Sequence, residues 1–101
     1  MAARMEYGTV NPSAQKISGS PGWSVRSDGT GLYLIIFEPS FSSAVSVVAT
    51  QIYPNDLSSG GGNTRDNAVI VGADNNEAKI KTGKDDGSAE NRWFSFIALG
   101  T

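Results

Sequence analysis

Turn-forming residues are spaced so closely along this chain that long helices have no room. Twelve Gly and four Pro, with Ser, Asn and Asp between them, interrupt the 101 residues at short intervals. These residues supply positive φ, withhold a backbone donor or close turns through their side chains, so the segments between them are expected to be strands. Residues 23–26 and 32–37 flank Asp28-Gly29 and read as a hairpin, since Asp-Gly provides the backbone that a tight turn demands. Pro39 ends the second strand, and Ser40-Phe41-Ser42-Ser43 leads to a strand at 45–52. Beyond Pro54, Gly60-Gly61-Gly62 marks a flexible surface loop. Residues 68–73 and 78–82 form a second hairpin around Asp74-Asn75-Asn76-Glu77, with Lys79 and Lys81 on its wet face. A polar loop over 83–91 precedes an aromatic strand at 93–99. The pattern predicts an all-β fold, a small antiparallel β-sandwich of about six strands. One domain spans 1–101, with 1–22 as an N-terminal arm and first strand region, because a chain this long fills one core.

Two of these strands do not alternate. In 32–37, Leu32, Leu34 and Ile36 share one face while Tyr33, Ile35 and Phe37 share the other. In 93–99, Ile97 and Leu99 oppose Phe94, Phe96 and Ala98. One face of each fills the core, and the second is expected to form an apolar patch covered by another copy of the chain. The plainer alternative is cover by loops or neighbouring side chains.

Composition removes many functions. Without cysteine there is no disulfide framework, and without histidine the commonest neutral-pH base and metal ligand is missing. Serine has no histidine to activate it, and Gly60-Gly61-Gly62 lacks the Lys and Ser/Thr of a phosphate loop. Eight Lys and Arg against ten Asp and Glu leave a net charge of −2 with no basic track, so nucleic acid is not an expected partner. No stretch approaches the roughly 18 apolar residues of a membrane span, and Met1-Ala2-Ala3-Arg4 lacks the apolar run of a signal peptide, so membrane insertion is not expected.

The run Ile36-Phe37-Glu38-Pro39-Ser40-Phe41-Ser42-Ser43-Ala44-Val45-Ser46-Val47-Val48-Ala49 resembles a motif of the H-type lectins and of the C-terminal receptor-binding modules of phage tail fibres. The resemblance covers roughly residues 23–100 and includes the loop with Asn55-Asp56, Arg65 ahead of the next strand, and an aromatic strand ending near Ala98-Leu99-Gly100. It implies a six-stranded sandwich assembled as a parallel homotrimer with ligands at the clefts between protomers, and an extracellular or virion setting. The chain departs from the snail-type lectins in lacking their disulfide and the His beside a Trp near the sugar.

Sugar recognition needs planar or charged groups for hydroxyls and an aromatic face for the ring, presented on loops. Arg65 corresponds to the Arg that opens this strand in the resembling family, and Asp66 beside it can orient the guanidinium. Asn55 and Asp56 occupy the matching loop, and Trp93 opens the last strand. Each has a bland alternative: a surface or intersubunit salt bridge for Arg65, packing for Trp93 as for Trp23. Tyr53, ahead of Pro54, is the better-placed aromatic for a surface site, with a turn-anchoring role as its equally plain alternative. Asp74-Asn75-Asn76-Glu77 and Asp85-Asp86-Gly87 have calcium-like composition but lack EF-hand spacing and read as turns. Asp85 with Glu90 is the one carboxylate pair to weigh for a glycosidase, and no motif places it across a cleft.

The sequence therefore predicts a non-enzymatic module that binds a cell-surface glycan or receptor as a homotrimer, through Asn55, Asp56, Arg65, Asp66 and Trp93, without metal or cofactor. The alternative is a structural trimerisation cap of a longer fibre.

Overall fold

A computed structural model describes residues 2–101; Met1, the first residue of the expected N-terminal arm, lies outside them. The strands are β1 Arg4–Val10, β2 Lys16–Gly19, β3 Trp23–Ser27, β4 Leu32–Phe37, β5 Ser46–Ile52, β6 Asn67–Ala73, β7 Glu77–Gly83 and β8 Trp93–Gly100. No helix occurs among the described residues. The strands form two four-stranded antiparallel sheets, one ordered β2-β1-β8-β5 and the other β3-β4-β7-β6. Among the described residues the fold is an all-β sandwich of eight strands, against the about six that the sequence indicates.

Both extra strands fall in 1–22, the expected arm and first strand region, where the bounds of β1 are obscured for a physical reason. Its alternation is inverted: the inward positions are Glu6, Gly8 and Val10, while Met5 and Tyr7 face out. Gly8 is glycine because the Trp23 indole lies over it; a Cβ there would sit 2.0 Å from Trp23 Cζ2 and 2.6 Å from the Ser18 carbonyl oxygen. Glu6, 7% exposed, is tolerated because its charge is answered on all sides. Arg4 Nε lies 2.8 Å away, the Ser20 hydroxyl donates at 2.7 Å and the Gly22 N–H at 3.1 Å.

The aromatic residues join the layers. Trp23 meets Phe96 edge-on with centroids 4.7 Å apart, and Tyr33 meets Phe94 at 4.9 Å. Each pair spans the two sheets, adding about 0.5–1.5 kcal/mol beyond the area it buries. Phe41, in the crossing from β4 to β5, closes one end of the core against Phe37 at 5.0 Å.

The expectation for the two-faced strand β4 needs correction. Tyr33, Ile35 and Phe37 fill the core, yet the opposite face is not a bare patch. Leu34 is only 6% exposed, flanked in register by Arg26 and Lys79, and Lys79 is held across by Asp28 at 3.0 Å. Long aliphatic stems beside an apolar residue shelter it while their charges stay wet. Strand β8 is different: Phe94, Phe96 and Ala98 are core, while Ile97 and Leu99 are half exposed.

Burial works to raise the Glu6 carboxyl pKa, but the Ser20 and Arg4 hydrogen bonds, the Arg4 charge and the Gly22 N–H outweigh it and hold it below the ordinary value of 4.5. A carboxylate lowered in the fold stabilises it above its unfolded pKa, and that contribution disappears as pH falls through the folded value. The parent domain should therefore lose stability below about pH 4.5 more steeply than Glu6→Gln. Urea midpoints measured between pH 7 and pH 3 check this; parallel curves for the two proteins would remove Glu6 from the acid response.

Candidate functional site

Four connections gather at one end of the sandwich: the β1–β2 turn (11–15), the β3–β4 turn (28–31), and the crossings 53–66 and 84–92. Arg4 pairs with Gly100 at the opposite end. Loops on a rigid two-layer frame are where recognition groups are usually carried.

Arg92 organises this end. It has the parity of Phe94, Phe96 and Ala98, so its side chain enters between the layers, and the residue is 6% exposed. Its Nε and Nη2 donate to Glu90 Oε2 at 3.0 and 2.8 Å, and Nη1 donates to Gln51 Oε1 at 3.4 Å. Asp66 Oδ1 lies 3.9 Å from Nη1. The guanidinium carbon stands 3.4 Å from the centroid of the Tyr53 ring, a stacked cation–π contact. Gln51 then ties the crossings down, its Nε2 donating to the carbonyls of Asn67 at 2.8 Å and Gly83 at 2.7 Å.

A polar cleft of about 260 Å³ opens beside this cluster, lined by Tyr53, Gly62, Asn63, Asp66, Asp85 and Arg92. Asn63 and Asp66 form a self-closed turn: the Asn63 N–H donates to Asp66 Oδ2 at 2.9 Å, and the Asp66 N–H to the Asn63 carbonyl at 2.8 Å. Asp66 Oδ1 and the exposed Asp85 carboxylate supply acceptors to the cleft. Tyr53 gives one face to Arg92 and remains half exposed.

Of the residues expected to bind ligand, Asp66 alone lines this cleft. Arg65, next to it, faces the other way, onto a groove over β6 and β7. Asn55 and Asp56 stand apart from the cleft. Asn55 takes a left-handed φ of 67° after the cis Tyr53–Pro54 bond, and Asp56 Oδ1 accepts from the Ser58 N–H at 3.0 Å and hydroxyl at 2.7 Å. Those bonds hold the Asp56 carboxyl below its usual pKa. Trp93 is half buried on the outer face of β8 opposite Ile52, one residue out of phase with Arg92. Asp74 and Asp86 close turns, accepting from the backbone of Asn76 and Glu77 and of Ser88.

Protein-family models, curated proteins and solved structures give no match to this chain. No helix among the described residues is long and apolar enough to cross a membrane.

Replacing Gln51 with Ala removes its bonds to two backbone carbonyls and to Arg92 Nη1, which keeps only Asp66 at 3.9 Å. The expected cost is about 1–3 kcal/mol in urea denaturation. An unshifted midpoint would mean that the crossings hold themselves without Gln51.

Proposed function

We propose that the chain is a non-catalytic carbohydrate-binding module whose polar cleft takes a sugar of a cell-surface glycan. The observation that carries this reading is Tyr53, locked by Arg92 on one face and half exposed, beside the carboxylates of Asp66 and Asp85. A sugar ring presents hydroxyls at its edge and C–H groups on its face, so a fixed ring next to fixed acceptors matches both. Because Arg92, Gln51 and the 63–66 turn are already bonded, little ordering is left to do on binding. Non-catalytic action is supported by Glu90: it is engaged twice by Arg92 and so is a poor acid/base partner for Asp85. The resemblance to H-type lectins and tail-fibre modules agrees with this reading, and so does an extracellular or virion setting.

A glycan array on the purified chain tests it. Against the best neutral glycan, Asp85→Ala should weaken binding about tenfold, one lost hydrogen bond to a charged group. Asp85 is exposed, so the melting temperature should stay in place. An array without any hit, or an Asp85→Ala protein that binds as tightly as the parent, would end the proposal.

The structural trimerisation cap is favoured by a separate observation. On the outer face of the β2-β1-β8-β5 sheet, Met5 pairs in register with Leu99, and Tyr7 and Val48 flank Ile97. All five are about half exposed or more. The alternating outward residues of β1, β8 and β5 include no charged side chain. We propose that other copies of the chain cover this face, since an uncharged apolar surface is buried without leaving an unpaired charge; the homotrimer is the assembly that the resemblance implies. Light scattering at micromolar concentration should give three times the 10.6 kDa protomer mass, and Ile97→Asp should give a folded monomer. A parent that is already monomeric would reject the assembly.

A further inference from the structure

Arg65 and Lys84 turn away from the polar cleft and, with Lys81, line a groove of about 230 Å³ on the outer face of β6 and β7. Val69, across from Lys81 in register and half exposed, lines it together with Ala89. Three of the chain's eight basic residues thus meet over one small apolar surface in a protein of net charge −2. Among the described residues no carboxylate lines the groove, and none of the three cations has one within salt-bridge distance. Asp86 feels the Lys84 charge, but its carboxylate is taken by the Ser88 hydroxyl at 2.6 Å and N–H at 2.9 Å. Like charges gathered without a counter-charge raise one another's energy, and an arriving anion relieves that.

We propose that this groove binds an acidic sugar residue, with its carboxylate or sulfate among Arg65, Lys81 and Lys84 and the C–H face of its ring on Val69 and Ala89. Arg supplies a planar fork suited to either oxyanion, and the lysines add point charge. The apolar floor argues for a ring with a hydrophobic face over a bare inorganic ion. Three cations, Lys81 on β7 and Arg65 and Lys84 just outside β6 and β7, are too few for the extended track of a polynucleotide. The groove and the cleft share a wall: in Arg65-Asp66 and Lys84-Asp85 the basic residue lines one and the acidic residue the other. One branched or extended glycan can span both. In that respect the inference rests on the carbohydrate-binding reading, which it narrows to acidic glycans.

The test is a backbone-amide NMR titration of the intact chain with four probes: a disaccharide containing glucuronic acid, its neutral glucose counterpart, a sulfate ester of the neutral disaccharide, and sodium sulfate. The carboxylated or the sulfated sugar should shift the amides of 67–69 and 81–84, and the stronger of the two identifies the oxyanion. Neutral sugar and sodium sulfate at equal concentration should leave those amides in place. Lys81→Ala and Arg65→Gln, both at exposed positions, should each weaken the acidic-sugar effect about tenfold with no change in melting temperature, and added salt should weaken it further. Equal shifts from neutral and acidic sugar, equal shifts from sodium sulfate, or no shift at 81–84 would each overturn the proposal. If neutral sugars move the amides around Asp85 and Arg92 while no acidic sugar reaches 81–84, the groove fails and the cleft reading stands. If the acidic sugar reaches 81–84 and nothing binds the cleft, the groove stands and the cleft reading fails.

Discussion

The hydroxyl of Tyr33 is the point at which the packing of this domain fixes its loops. Tyr33 is 1% exposed, and its ring is pressed against Phe94 across the layers. A buried hydroxyl must find partners or forfeit their desolvation cost. It donates to the Pro12 carbonyl at 3.0 Å and accepts from the Arg92 N–H at 3.2 Å. Burial pushes its pKa above 10.0, so the hydroxyl keeps its proton and its role as donor at neutral pH. One core side chain thereby anchors the β1–β2 turn and sets the backbone from which Arg92 projects. The cleft inherits its geometry from the aromatic core.

Arg92 in turn decides which charges are available at the loop end. Its guanidinium takes up Glu90, holds one face of Tyr53 and lies 3.9 Å from Asp66 Oδ1, so of the carboxylates lining the cleft Asp85 is the one outside its reach. The neighbouring residues Arg65 and Lys84 are left on the outer face of β6 and β7 with no carboxylate against them. Charges of opposite sign are therefore sorted onto two sides of a thin wall, instead of neutralising each other across it. On the proposed glycan-binding reading, such sorting would favour a ligand that puts its anion on the groove side and its donors on the cleft side.

How much of this was legible in the sequence follows from where turn residues bound a run of apolar side chains. Trp23–Ser27 and Leu32–Phe37 were legible because Asp28-Gly29 marks the turn and apolar residues fill both arms. Trp93–Gly100 was legible from its aromatic residues. A first strand region was expected in 1–22, but the bounds and faces of β1 were hidden, since its inward positions carry a glycine under an indole and a glutamate inside a hydrogen-bond cage. Both depend on residues, Trp23 and Ser20, that are distant from β1 in the chain. At the loop end Trp93 drew attention, while Arg92 has the parity of Phe94 and Phe96. A cation in phase with a core strand, at its mouth, is the sequence signal for a buried organising charge. Arg65 and Asp66 are consecutive, but the turn closed between Asn63 and Asp66 sends Asp66 to the cleft and leaves Arg65 over the groove, which separates a pair that sequence proximity would join.

That same parity bears on Ile97 and Leu99. With Phe94, Phe96 and Ala98 filling the interior, the fold makes no demand for apolar residues at the alternate positions of β8; threonine or lysine would serve a solvated face equally well. Strand β4 shows how the chain handles an apolar outer row that stays wet, placing Arg26 and Lys79 on either side of Leu34. No such charged flank accompanies Ile97, whose register neighbours are Tyr7 and Val48. Strand β4 thus shelters its apolar row with charged stems, while β8 leaves its row bare; the proposed assembly would put a further protein layer on the bare row. Such a layer would stack parallel to the strands. The polar cleft lies at the strand ends and the basic groove on the far sheet, so assembly through this face leaves both open to solvent.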